Sequence, residues 1–137
     1  PVLFCADDGS EIGAAHAGWR GLANGVLEAT LTQLQAPCAR LLAWLGPCIG
    51  ATSYEVGADV RAAFVAHDPA AAGCFKPTRP DHWFCDLAAL ARQRLAAAGL
   101  TRIYGGGFDT LADQRFYSYR RDGAASGRFA SLVWLQP

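Results

Sequence analysis

Ala14-Ala15-His16-Ala17-Gly18-Trp19-Arg20-Gly21 is the stretch on which the reading of this chain turns. Upstream, Glu11-Ile12-Gly13-Ala14-Ala15 is small and apolar and reads as an extended segment. Downstream, Leu22, Val26, Leu27, Leu31 and Leu34 recur at helical spacing. A strand therefore hands over to an amphipathic helix through one tight connection, and Gly18 and Gly21 let the backbone turn sharply. His16 leaves the sheet at its edge, facing a cleft, and the unpaired N–H groups of the helix start point the same way. An anion is the natural guest there, because the helix dipole and the free donors favour negative charge and Arg20 adds a full positive one. Such junctions are common, however, and a lone His is more often structural than a ligand, so spacing alone does not assign a function.

Working outward, Val2 to Ala6 and Glu11 to Ala15 read as two strands around the turn Asp7-Asp8-Gly9-Ser10. The helix from Leu22 to Leu34 ends near Gln35 and is stopped by Pro37. Arg40 to Leu45 is a third strand, broken by Gly46-Pro47-Cys48-Ile49-Gly50, which serves either as punctuation or as the wall of a site. The spacing predicts a helix over Val56 to Val65, with His67 at its C-terminal end, then an irregular Ala- and Pro-rich segment from Ala70 to His82. His82, expected at the surface, and Trp83 precede a short strand, Asp86 caps a helix whose stripe is Leu87, Leu90, Ala91, Arg94, Leu95 and Ala98, and Gly99 ends it. Thr101 to Tyr104 returns as a strand into Gly105-Gly106-Gly107, a flexible link without dinucleotide-binding spacing. Phe116 to Asp122 and Arg128 to Leu135 are the last expected strands. In the first of these, Arg120 and Arg121 would point to opposite faces, one toward the cleft and the other pairing with a carboxylate such as Asp122. Taken on its residues alone, that segment is an Arg-Asp network at a hairpin. The expected class is α+β: mixed, partly antiparallel sheet strands flanked by helices in a single domain.

The 137 residues are 52% hydrophobic, enough for a substantial core, and 12 basic residues balance 12 acidic ones. That balance argues against a nucleic-acid surface and for a small-molecule partner. No apolar run reaches membrane-spanning length and no export signal is read, so the default location is cytoplasmic. The sequence assigns no oligomeric state. Cys5, Cys38, Cys48, Cys74 and Cys85 are odd in number and lack any C-x-x-C pattern, which fits reduced thiols rather than a disulfide framework or zinc knuckle. Cys5 and Cys85 read as small core residues, and Cys48 as a candidate for lining a pocket.

Several motifs in order resemble one family: Pro1-Val2-Leu3-Phe4, the octapeptide around His16, Gly46-Pro47-Cys48-Ile49-Gly50, Tyr54-Glu55-Val56-Gly57 and Phe116-Tyr117-Ser118-Tyr119-Arg120-Arg121-Asp122. Together they are similar to the YfiH family, also described as multicopper polyphenol oxidase (laccase-like) and as purine nucleoside phosphorylase. The resemblance runs from the first residue to the last. Family members carry further residues upstream, and the chain opens in mid-strand without Met, so it is read as the C-terminal part, residues 1–137, of one longer YfiH-like domain.

The resemblance implies a zinc-dependent enzyme that converts adenosine or inosine and phosphate to base and ribose 1-phosphate, with adenosine deamination at the same site. It makes His16 a metal ligand and catalytic residue and Arg20 a catalytic residue. Gly18, Trp19, Gly21, Arg120 and Arg121 are then candidates for phosphate or substrate binding. The family's other two metal ligands, a His and a Cys, lie in segments upstream of Pro1, so His16 alone carries over and these residues alone are expected to be inactive. Asp109-Thr110 stands where many members have Cys-Thr, and a carboxylate replaces a thiolate neither as nucleophile nor as soft-metal ligand. The alternatives are a copper-dependent polyphenol oxidase, a thiol hydrolase of cell-wall precursors, and a non-catalytic piece or decayed member.

Overall fold

The computed structural model describes residues 1–136. Strands β1 (Val2–Ala6) and β2 (Ile12–Ala15) form the expected hairpin, followed by helices α1 (Trp19–Ala23) and α2 (Val26–Gln33) and strand β3 (Leu41–Leu45). Then come β4 (Glu55–Gly57), α3 (Ala58–Val65), β5 (Phe75–Arg79), β6 (His82–Cys85), α4 (Leu87–Ala97), β7 (Ile103–Gly105) and the short α5 (Tyr119–Asp122). The architecture is mixed and partly antiparallel, as the α+β class requires. One sheet has the order β2-β1-β3-β7 with β3–β7 parallel, and the other is an antiparallel β4-β6-β5. The chain divides into two compact units, residues 1–46 with 91–106 and 131 onward, and residues 47–90 with 107–130. Both are discontinuous in sequence, so no linker marks them.

In the first unit, β1 and β3 alternate buried and half-exposed positions along the strand. Val2, Phe4, Ala6, Leu41, Ala43 and Leu45 are buried, as are Leu22, Leu27, Leu31, Leu95 and Leu100 from the helices and their flanks. Emptying the Phe4 site by Phe4→Ala costs about 3–5 kcal/mol. On the opposite face, Leu3, Cys5, Leu42, Trp44 and Tyr104 join Leu132 and Val133 around an open apolar groove of about 500 Å³. Cys5 is therefore half-buried on an open face rather than a core residue. The hairpin turn is set by Gly9 at φ +71° and by Asp8, which accepts hydrogen bonds from the Ser10 amide and hydroxyl. Those two bonds, with Arg40 beside them, hold the Asp8 carboxyl down at about 2.

The single helix expected from Leu22 to Leu34 is two helices. Gly25 adopts φ +85°, a left-handed conformation that ends α1 and starts α2. Buried Arg94 fixes this break: its Nε donates to half-buried Glu28 at 2.6 Å and its Nη1 to the Ala23 carbonyl at 3.4 Å. A Cβ at Gly25 would rest 3.7 Å from both charged groups.

In the second unit, Tyr54, Val56, Val60, Phe64, Ala71, Phe75, Cys85 and Leu90 are buried. The Phe64 and Phe75 ring centroids lie 6.1 Å apart. Val56 belongs to β4 rather than to a helix, and the segment read as irregular contains edge strand β5, where Pro77 is tolerated because an edge need not donate outward. Asp86 caps α4 by accepting from the Ala89 amide, and Gly99 at φ +91° follows its end. His82, expected at the surface, is half-buried at the start of β6 with Nδ1 2.9 Å from the Pro80 carbonyl. Two expected strands are absent among the described residues. Residues 116–122 end in the helical turn α5, and residues 128–135 form no ladder, leaving Phe129, Leu132, Trp134 and Leu135 exposed.

Candidate active site

His16 leaves the end of β2, the edge strand of its sheet, and is exposed. Gly18 is the extended residue before α1, and its lack of a side chain decides where the imidazole lies: a Cβ there would sit 3.3 Å from His16 Nε2. Gly21 packs beside the same residue, where a Cβ would stand at ordinary contact distance, 3.4 Å from the His16 carbonyl oxygen and 3.6 Å from Val26. The helix start thus lies against His16, and Gly18 gives its imidazole room. The Leu22 amide donates to the Gly18 carbonyl at 2.8 Å and the Asn24 amide to the Arg20 carbonyl at 3.0 Å. α1 has five residues, so the long-helix dipole expected behind this turn is reduced to a single turn. Arg20 is exposed and lays its guanidinium over Trp19, 4.9 Å from the ring centroid. His16, Gly18, Trp19, Arg20 and Gly21 therefore share one connection, with an imidazole and a cation facing solvent.

The second arginine motif departs from expectation because α5 is helical, so Arg120 and Arg121 do not alternate across a strand. Arg121 is exposed, but its side chain is tied down. Its guanidinium donates to the carbonyls of Thr110 (3.3 Å), Leu111 (3.1 Å) and Phe116 (2.8 Å), and it forks onto the Asp122 carboxylate with two 2.9 Å bonds. That fork holds the Asp122 carboxyl below its ordinary value. Arg120 is exposed and stacks 4.9 Å above the ring of Tyr54, itself only 6% exposed. Of the expected pair, Arg121 is the structural member and Arg120 is the one presented outward.

The wall at Gly46 to Gly50 has an unexpected partner. Cys48 bridges to Asp109, whose carboxylate accepts from Ser53 Oγ at 2.5 Å and from the Leu111 amide at 2.9 Å. Only Gly fits at position 50, where a Cβ would fall 2.5 Å from that carboxylate. The contact joins residues 56 positions apart, and no local pattern signals it. All five cysteines are free. Burial pushes the Cys48 and Cys74 thiols up and drives Cys85 to about 12, the reverse of an activated thiolate. Among the described residues, no three His, Cys, Asp or Glu side chains converge into a metal-binding group. No helix among them is long and apolar enough to cross a membrane.

Residues 1–136 match the family of multi-copper polyphenol oxidoreductase laccases. The chain is 59% identical over 138 residues to the purine nucleoside phosphorylase of Xylella fastidiosa strain Temecula1, a match covering 98% of this chain and 53% of the relative. It is 48% identical to the purine nucleoside phosphorylase YfiH of Escherichia coli K12, with 98% and 55% covered. Among solved structures, a Neisseria meningitidis protein superposes with a TM-score of 0.88 at 46% identity, covering 90% of this chain and 51% of its own. YlmD of Geobacillus stearothermophilus gives 0.82 at 30%, covering 93% and 50%. The chain spans about half the length of the curated relatives it matches. A family match across nearly every residue, over a shared fold, shows that this chain belongs to the multi-copper polyphenol oxidoreductase laccase family, the YfiH family.

Proposed function

We propose that the protein is a purine nucleoside phosphorylase, taking adenosine or inosine and phosphate to base and ribose 1-phosphate, with adenosine deamination as a second activity. The observation that carries this reading is the His16–Gly21 connection. Gly18 leaves room for the imidazole, and Arg20 stands exposed within α1 beside it. The names of the relatives support the same substrate class. In the reaction, a phosphate oxygen forms the new bond to C1′ as the glycosidic C–N bond breaks, and the departing base takes its electron pair and a proton. Arg20 neutralises the phosphate and holds it against the turn, and Arg120 is a second cation available to an anion. We further propose that residues 1–137 are the C-terminal part of a longer YfiH-like domain, which the half-length coverage of the relatives supports.

Zinc does not fit the residues present by themselves. His16 is one donor where a catalytic zinc takes three protein ligands, so a zinc bound here would need its remaining ligands from other polypeptide. Copper meets the same shortage. The thiol-hydrolase alternative needs a thiolate at neutral pH, which burial opposes at Cys48, Cys74 and Cys85.

The test is phosphate-dependent release of hypoxanthine from inosine by the full-length protein, compared with its Arg20→Ala variant. Phosphorolysis is expected in the first, and a loss of about 10- to 100-fold in the second, with deamination much less affected. Equal loss of both activities in a destabilised variant would overturn the role given to Arg20, and phosphate-independent hydrolysis would overturn the phosphorylase reading.

A further inference from the structure

Asp109 lies at the crossing of three segments of the second unit. Its carboxylate accepts from Ser53 Oγ (2.5 Å), from the Leu111 amide (2.9 Å) and from the backbone amide of Gly50. The Gly50 carbonyl accepts in turn from the amides of Ser53 and Tyr54, at 3.0 and 3.1 Å. The 50–54 turn is thereby closed on itself and pinned to Asp109. Tyr54 is also fixed by the Cys85 amide, which donates to its carbonyl at 2.8 Å. On the other side, the Thr110 amide donates to the Cys48 carbonyl at 2.9 Å, and Arg121 grips the carbonyls of Thr110 and Leu111. The ring beneath Arg120 and the helical turn that carries Arg120 are thus both fastened to residues 109–111. Asp109 keeps its charge in this setting: burial opposes ionisation, but the Ser53 hydroxyl and the backbone amides outweigh it and hold the carboxyl below its ordinary value.

We propose that Asp109 is a positioning residue that fixes the Tyr54 ring under Arg120, and so holds the Arg120 guanidinium in place to receive an anionic group of the substrates. The assignment to phosphate rests on the phosphorylase reading, whereas the positioning itself does not. Loss of the carboxylate frees the 50–54 turn, the Tyr54 ring loses its fixed place, and Arg120 loses its stacking partner without losing its own charge.

The experiment uses the full-length protein and its Asp109→Ala, Asp109→Asn and Ser53→Ala variants. Modification of arginines by phenylglyoxal, resolved by residue with mass spectrometry, reads the positioning directly. Asp109→Ala is expected to raise the rate at Arg120 about three- to tenfold, with Ser53→Ala giving a smaller rise and Arg20, stacked on Trp19, keeping its rate. In parallel, KM for phosphate is expected to rise about tenfold in Asp109→Ala, with kcat and the nucleoside KM little changed. If phosphate KM holds while Arg120 reactivity rises, Asp109 positions Arg120 but the anion at Arg120 is not phosphate, which overturns that assignment and leaves the phosphorylase reading to the inosine and Arg20 test. An unchanged rate at Arg120 in Asp109→Ala and Asp109→Asn overturns the proposal. Should Asp109→Ala fail to fold, Ser53→Ala and Asp109→Asn, which keep the side-chain volume close to native, decide it by the same reading.

Discussion

The turn from His16 to Gly21 and the turn from Tyr117 to Asp122 each set an arginine over an aromatic ring, and they hold their shape by different means. In the first, clearance does the work: Gly18 leaves room for the imidazole, and the polar side chains are turned outward. In the second, hydrogen bonds do it, with Arg121 spending its donors on three carbonyls and a carboxylate so that Arg120 beside it stays exposed. Arginines of one chemical type thus divide into a structural cation and two available ones. The division follows from whether carbonyl acceptors lie within reach, not from the local sequence.

That contrast can be broken most severely at His16. On the proposed reading of a zinc-binding phosphorylase, His16→Ala in the full-length protein should lower both the bound zinc and phosphorolysis. Elemental analysis of both proteins checks this, and unchanged metal content removes His16 from the ligand set. Next in size is the comparison of Arg121→Ala with Arg120→Ala. The first strands several acceptors and should cost about 2–3 kcal/mol in thermal or urea unfolding, whereas the second should cost under about 1 kcal/mol and act on phosphate KM instead. Equal destabilisation by both would erase the division of roles. A gentler probe is Gly25→Ala, which forces a side chain into φ +85° beside Arg94 and Glu28. About 1 kcal/mol of stability should be lost, with the orientation of α1, and hence of Arg20, disturbed more than the arginine turn of α5. The smallest effect is titration. The Asp122 carboxyl, lowered by Arg121, and the Asp113 carboxyl, lowered by Arg115, contribute stability above the ordinary carboxylate range, and that stability is lost as pH falls through their depressed values. Residues 16–21 contain no carboxylate. Hydrogen exchange below about pH 4 should therefore loosen residues 110–122 before the His16 turn.

Much of the fold is legible from sequence because its signals are local. The Asp-Asp-Gly-Ser hairpin turn, the Asp86 cap and Gly99 after α4 each act within four residues of themselves. Less legible is what depends on distant partners. The helical pattern from Leu22 to Leu34 runs straight through Gly25, and the break there is stabilised by Arg94, 66 residues from Glu28. β5 is masked by Pro77 and by its run of exposed side chains, since an edge strand needs neither a full set of amides nor two apolar faces. The adjacent arginines are strand-like by context and helical in fact, because the backbone follows the acceptors that Arg121 finds. For the site, His16 and Arg20 are marked by the strand-turn-helix pattern and the family resemblance. Asp109 is marked only as a departure from the family, and its hold on Ser53 needs the folded chain to be seen.

β3 lies between β1 and β7, so the order of its partners in the chain also sets how this sheet can be assembled. Leu45 faces Val2, 43 residues back, and Ala43 faces Ile103, 60 residues ahead. Each pairing closes a long loop before any ladder bond is gained, and the parallel one closes the longer. The β1–β2 hairpin can therefore form early on a growing chain, while β3 keeps one edge bare until residue 105 has been synthesised. Refolding should accordingly be slow for a chain of this size, with protection at the Leu41–Leu45 amides that face β7 arriving last. During that interval the exposed edge of β3 is the place where a newly made copy is most open to pairing with the wrong strand.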